Sequence, residues 1–224
     1  MSSIPGSELD EFLVACEKQN IDEAKLMLHN NEALITCKDQ SGNCPLHQAV
    51  KSNYPMELVR LLSHPAIINE QNINGETPLI LAAMYNDAEI LRHLIDNGAD
   101  LNAVDNDGHS ALQWSVVNRE LTILDCLLAG NASVGIADFC GCRALHYAMT
   151  DFDQPSLIIK KLMEHGAEAD CADKEGRTPL HWASSCGNVE AFNCLLEYNP
   201  HVECLDNCDL TGVHFFHSTS LRRE

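Results

Sequence analysis

Basic residues and aromatics are scarce in this chain. Fourteen Lys and Arg face 33 Asp and Glu over 224 residues, a formal net charge of −19. Such a surface repels nucleic-acid phosphates and anionic membranes, so neither is expected as a partner. It suits a partner with a basic face, and it also serves solubility alone. Aromatics are 5% of the residues while hydrophobic residues are 45%, which argues against one large aromatic-rich core. No apolar run approaches the ~18 residues needed to cross a bilayer. The opening MSSIPGSELDEFLVACEKQN has neither the basic segment nor the apolar stretch that directs secretion. Ser2 follows Met1, so myristoylation is not indicated. The eleven cysteines are therefore expected as free thiols in an intracellular, cytoplasmic setting. A phosphate-binding loop is missing too, since the one candidate, NGETP, lacks the lysine such a loop needs.

What is abundant is repetition. Leu46, Leu79, Leu112, Leu145 and Leu180 recur at spacings of 33, 33, 33 and 35. Four residues before each stands a glycine (Gly42, Gly75, Gly108, Gly141, Gly176), and three before each glycine is an Asp or Asn (Asp39, Asn72, Asp105, Asp138, Asp173). Three positions coinciding in five copies mark an internal repeat. The Asp-x-x-Gly segment makes a tight turn, with the carboxylate bonding backbone N–H groups and the glycine taking positive φ. Thr77 and Thr178 are placed to cap helices whose first residues are Pro78 and Pro179. Small pairs such as Ala82-Ala83 let neighbouring helices approach. Apolar pairs Leu61-Leu62, Leu94-Ile95, Leu127-Leu128, Leu162-Met163 and Leu195-Leu196 predict a second helix, ended by Gly98, Gly130 or Gly166. No such unit buries its apolar face alone, so stacking supplies the core.

This pattern resembles the ankyrin repeat over nearly the whole chain. The resemblance implies an all-α repeat solenoid, an ankyrin-repeat stack with β-hairpin or turn fingers. Its divisions are a capping helix pair over 1–38, repeats over 39–71, 72–104, 105–137, 138–172 and 173–208, and an incomplete repeat or frayed tail over 209–224. In the cap, Leu13 lies 33 residues before Leu46, and Leu26 with Leu28 would serve the second helix. Glu8, Asp10, Glu11, Glu17, Lys18 and Glu23 give it the polar outer face of a terminal repeat. At the other end, laying GVHFFHSTS on GRTPLHWAS places Phe216 on Leu180 and His217 on His181, and fraying is expected from about Asn207 onward.

A narrower resemblance runs over roughly residues 105–208. Trp114-Ser115, the segment SVGIAD from Ser133 to Asp138 and the two-residue insertion around DFDQPS are similar to the middle repeats of the inversin family. That implies a scaffold in the cilium or at the apical region of epithelial cells, with a NIMA-related kinase and another ankyrin-repeat protein as partners. The calmodulin-binding motifs of that family are not in this sequence, so calmodulin binding is not carried over.

Candidate chemistry is thin. His47, His146 and His181 occupy one slot of successive repeats, where the family uses histidine to join adjacent fingers. Ile80 and Gln113 fill that slot in the second and third repeats, so those junctions should lose or alter the bond. In CGCRALH, Cys140, Cys142 and His146 form a single cluster, short of the paired clusters that zinc prefers. Cys204 and Cys208 have no partner at zinc spacing either. No catalytic residue, cofactor or metal site is expected. Asn102 in LIDNGADLNAVD resembles the asparagine hydroxylated in other ankyrin proteins, and bonding within the finger junction is the plainer role.

A partner is expected on the fingers and first helices, at positions the fold leaves free. The residue after the histidine slot forms a column of Gln48, Leu81, Trp114, Tyr147 and Trp182. Its side chains either pack between helices or present a partly exposed aromatic strip. Phe139 at a tip and Tyr85 on a helix have no core duty in the pattern, and an apolar residue at a free position is the better clue. The candidate docking residues are Tyr85, Trp114, Phe139, Tyr147, Lys174, Arg177 and Trp182. The function read from this is a non-catalytic interaction scaffold or adaptor. The alternative is a regulatory subunit or inhibitor whose acidic face blocks a basic site on an enzyme or transcription factor.

Overall fold

The computed structural model describes residues 6–150 and 155–214, in which helices and tight turns alternate. The insertion around DFDQPS lies largely outside them. The chain forms two compact units, Met1–Asn106 and Asp107–Glu224. The first holds α1 (Gly6–Glu17), α2 (Ile21–Asn30), a 3-10 turn (Glu32–Thr36), α3 (Pro45–Lys51), α4 (Met56–Leu62), α5 (Pro78–Met84) and α6 (Ala88–Asp96). The second holds α7 (Ala111–Val117), α8 (Leu121–Ala129), α9 (Ala144–Tyr147), α10 (Pro155–Glu164), α11 (Pro179–Cys186) and α12 (Val189–Leu196).

Each helix start is encoded locally. Thr77 Oγ1 accepts the Ile80 N–H at 3.3 Å, with Pro78 in the first turn. Ser110 and Gln113 form a reciprocal capping box at the start of α7. In the first unit α1 packs on α2, α3 on α4 and α5 on α6, and α3 also packs on α5. Leu46, Leu79, Ala82 and Ala83 are buried there, the alanines keeping the helices close. In the second unit α9 packs on α7, α10 and α11, and α12 packs on α10 and α11. Each buried Leu or Ile contributes on the order of 1.5–3 kcal/mol.

The fingers repeat one geometry. Asp39 Oδ1 accepts from the Ser41 and Asn43 N–H groups at 2.8 and 2.9 Å, and Asp173 Oδ1 accepts from Glu175 and Arg177 N–H at 2.9 Å each. One backbone bond ties each finger to the next within a unit, as in Ile73 N–H to Ser41 O (3.0 Å) and Lys174 N–H to Cys140 O (2.9 Å). Gly141 shows why glycine is required. Its φ is +82°, and a Cβ there would lie 2.8 Å from Lys174 N.

Two expectations need correction, and one helix end differs in detail. In the cap, Phe12 rather than Leu13 takes the anchor position: Phe12 is fully buried and Leu13 half-buried, and Leu26 is 60% exposed. Burying the larger ring shifts the register by one. Gly130 ends α8 as its C-cap, with φ −77°, and Asn131 supplies the left-handed residue at φ +64°. At the C-terminal end, Asp209 takes the glycine's place with φ +59°, a conformation that Asp tolerates. Asp206 Oδ1 then accepts from Cys208 and Leu210 N–H at 2.8 and 3.0 Å, as in the other fingers. Thr211 N–H donates to His214 Nδ1 at 2.9 Å. Val213 and His214 therefore stand at the positions of Leu180 and His181, three residues before the expected ones. Asn207 through Thr211 belong to a bonded finger, and Phe215 onward lies outside the described residues.

Candidate protein-docking surface

The histidines are joints. In His47, Nδ1 accepts the Cys44 N–H at 3.2 Å, which leaves Nε2 to donate to Glu76 O at 3.0 Å. His146 does the same with Arg143 N–H and Arg177 O (3.0 and 3.2 Å), and His181 with Thr178 N–H and Leu210 O (both 3.0 Å). Burial pushes the imidazoles of His47 and His146 below the usual range, which favours the neutral tautomer these bonds need. Gln113 keeps both bonds with an amide, accepting from Ser110 N–H (2.8 Å) and donating to Cys142 O (3.0 Å). Ile80 has no polar atom to make them. Both ring nitrogens of His146 are thus engaged, and burial drives the neighbouring Cys142 thiol up to about 12. Cys140 and Cys208 are exposed.

The column beside the histidines has a second duty that sequence reading missed. Gln48 Nε2 donates to Asp39 Oδ2 at 2.7 Å, the Tyr147 hydroxyl donates to Asp138 Oδ2, and Trp182 Nε1 donates to Asp173 Oδ2 at 3.0 Å. In these three fingers Oδ1 takes the turn's backbone and Oδ2 takes a side chain nine residues later. Leu81 follows the same rule by exception. Nine residues before it stands Asn72, an amide whose own Nδ2 donates to Asn43 Oδ1 and Glu76 Oε2 at 3.0 and 2.7 Å. Burial pushes the Asp39 and Asp173 carboxyls up. The bonds from Asn43, Gln48 and Ser41 to Asp39, and from Trp182 and Arg177 to Asp173, outweigh it and hold both below the usual range.

In the second unit these rings form a half-buried run. His109 lies 5.4 Å from Trp114 and 5.9 Å from Tyr147, Tyr147 lies 6.0 Å from Trp182, and the Arg177 guanidinium sits 5.3 Å over the Trp182 ring. Arg177 Nε also bonds Asp173 Oδ2 at 2.8 Å. Lys174 is exposed on the same finger. Phe139, at the next tip, is 64% exposed although its N–H is tied to Asp107 O at 3.0 Å. Tyr85 belongs to the first unit. It is 53% exposed and lines a shallow cleft of about 400 Å³ with Lys51, Asn53 and Asp87. Ile73, at the tip position equivalent to Phe139, is equally exposed at 64%. The candidates named from sequence omitted it, although it stands where other fingers have Gln40, Asn106 or Lys174. Asn102 is exposed, with its N–H donating to Asp100 Oδ1 at 2.9 Å.

Stacked helix pairs joined by fingers, with chemistry spent on joints rather than gathered in a pocket, define a repeat protein built to present a surface. The family model described as ankyrin repeats (3 copies) matches residues 46–138 and 121–207, and the chain belongs to the ankyrin-repeat family. This is a protein–protein interaction module whose members are typically non-catalytic. The chain is 38% identical over 63 residues to inversin-B of Xenopus laevis, covering 28% of this chain and 6% of that protein. It is 37% identical over 57 residues to the 26S proteasome non-ATPase regulatory subunit 10 of Dictyostelium discoideum, covering 25% of this chain and 23% of that protein. The chain thus matches less than a quarter of the length of either relative. Among the described residues, no helix is long and apolar enough to cross a membrane.

Proposed function

We propose that this chain is a non-catalytic scaffold or adaptor that docks a protein partner on its fingers and first helices, through Tyr85, Trp114, Phe139, Tyr147, Lys174, Arg177 and Trp182. The observation that carries the reading is Phe139, a large aromatic ring in water on a finger whose backbone is bonded on both sides. A rigid exposed aromatic loses little entropy on binding and makes an interface anchor. The likeness to inversin-B supports a finer version: a scaffold in the cilium or apical epithelium that holds a NIMA-related kinase and another ankyrin-repeat protein. Affinity capture with the 224-residue chain, read by mass spectrometry, tests it. Phe139→Ala and Tyr85→Ala should each weaken retention of the captured partner and leave the unfolding midpoint unchanged. A large fall in the midpoint would show the rings to be core.

A second reading has its own support. The −19 charge, together with likeness to a protein named a regulatory subunit, favours an inhibitor or regulatory subunit that covers a basic site.

A further inference from the structure

Two rings of the second unit's run have their polar atoms spent on buried carboxylates. The Tyr147 hydroxyl donates to Asp138 Oδ2, and Trp182 Nε1 donates to Asp173 Oδ2 at 3.0 Å. The Tyr147 oxygen in turn accepts from His109 Nε2 at 3.1 Å. What these rings offer a ligand is therefore ring face, with a carboxylate at each donor edge. Such an edge bond enriches the negative face of a phenol or indole, and that face attracts a cation. The chain already seats one cation in this way. The Arg177 guanidinium lies 5.3 Å over Trp182, with its Nε 2.8 Å from the same Asp173 oxygen that receives the indole. Arg177 is the residue after its finger's glycine. At that position in the finger of Gly108, His109 lies 5.4 Å from Trp114. In the finger between them the position is Cys142, a buried thiol with neither charge nor ring. Among the described residues no Lys or Arg lies over Tyr147, whose ring neighbours are His109 and Trp182, tilted at 54° and 69°. Tyr147 is partly exposed, and the −19 charge draws basic segments to the surface around it.

We propose that the Tyr147 ring takes an arginine or lysine side chain from a basic segment of a protein partner, seated on it as Arg177 is seated on Trp182. The assignment rests on the docking function above and names the partner's chemistry at the ring run. Tyr147 is then a specificity residue, because the fingers on either side supply a stacking group of their own and its finger does not.

The chain has two tryptophans, Trp114 and Trp182, and both belong to the run, so their indole N–H signals report on it directly. The full 224-residue chain, labelled with 15N, is titrated with N-acetyl-arginine methylamide and with its neutral citrulline counterpart. The arginine probe should shift the indole signals saturably, with citrulline binding about fivefold more weakly, the size of one partly exposed cation–π contact. Tyr147→Gln should lower arginine affinity by a similar factor. That variant removes the ring and keeps a donor for Asp138, because Gln48 Nε2 makes the same bond to Asp39 Oδ2 at 2.7 Å. Glu203→Gln, which removes an exposed charge outside the run, should leave affinity unchanged. Equal binding of the two probes, equal losses in the two variants, or unsaturable shifts spread over the acidic surface would overturn the proposal. If captured partners still depend on Phe139 while the arginine probe fails, only the assignment to Tyr147 falls. If no protein is captured at all, the docking function falls and this assignment with it.

Discussion

At the residue scale, the column side chains serve the fold before they serve any partner. Tyr147→Phe removes the hydroxyl and leaves Asp138 Oδ2 without that donor, so a loss of about 1–3 kcal/mol is expected in chemical denaturation. Adding Asp138→Asn should recover part of it, since Asn72 opposite Leu81 is the native form of that pairing. A double-mutant cycle with no coupling would show that the bond contributes nothing. The pairing was written in the sequence as Asp39 with Gln48, Asn72 with Leu81, Asp138 with Tyr147 and Asp173 with Trp182. It went unread because a tyrosine or tryptophan beside a buried histidine reads first as packing or as a hot spot. Whether its polar tip reaches a carboxylate is a question of geometry.

The same scale sets a pH dependence. His146 is buried neutral, with its native pKa held below that of the unfolded chain. As pH falls below about 6.5 the unfolded chain takes up the proton first, so stability drops until the native pKa is also passed. His146→Gln should remove this contribution while keeping the joint, because Gln113 makes the same two bonds. Midpoints measured at pH 7.5 and 5.5 check it: the variant's should fall less than the parent's. Asp173 acts in a lower window. Its depressed carboxyl stabilises the fold above about pH 4, and that stability is lost as pH falls through the native value.

At the element scale, the finger is the unit that sequence read best, and its exceptions are conformational. Regular Asp-x-x-Gly spacing located five fingers, but the sixth uses Asp209 where glycine was sought, and the search slid three residues to Gly212. The left-handed site is a backbone requirement, and glycine is only its commonest answer. Asp209→Gly should therefore stabilise the last finger by about 1 kcal/mol, through relief of the φ +59° strain. Gly141→Ala should do the opposite on a larger scale, because the added methyl meets the Lys174 backbone as well as the φ +82° penalty. Denaturation midpoints of the two variants test the pair, and a neutral Gly141→Ala would contradict the close approach of the fingers. In the cap, the same dependence on packing put Phe12 rather than Leu13 inside. Spacing alone does not separate two adjacent apolar residues.

At the scale of the whole molecule, composition carried more than any motif. The −19 charge, the low aromatic content and the repeat defined a module that presents a surface, while the partner's identity lies in its complement and not in this chain. Charge also separates the two functional readings. An acidic face covering a basic site binds by long-range attraction, and raising salt shortens the Debye length from about 10 Å at 0.1 M to about 3 Å at 1 M. Affinity on that reading should fall steeply with salt, mainly through slower association. Docking through Phe139 and Tyr85 depends on burying apolar area, which salt does not screen. For the scaffold reading, affinity for the captured partner should therefore change little between low and high salt, and dissociation should respond to Phe139→Ala at both. The free chain gives an internal control. Screening relieves repulsion among the excess carboxylates, so its unfolding midpoint should rise with salt over the same range. Stable binding across that rise assigns the contact to the rings, and binding that collapses while the fold grows firmer assigns it to the acids.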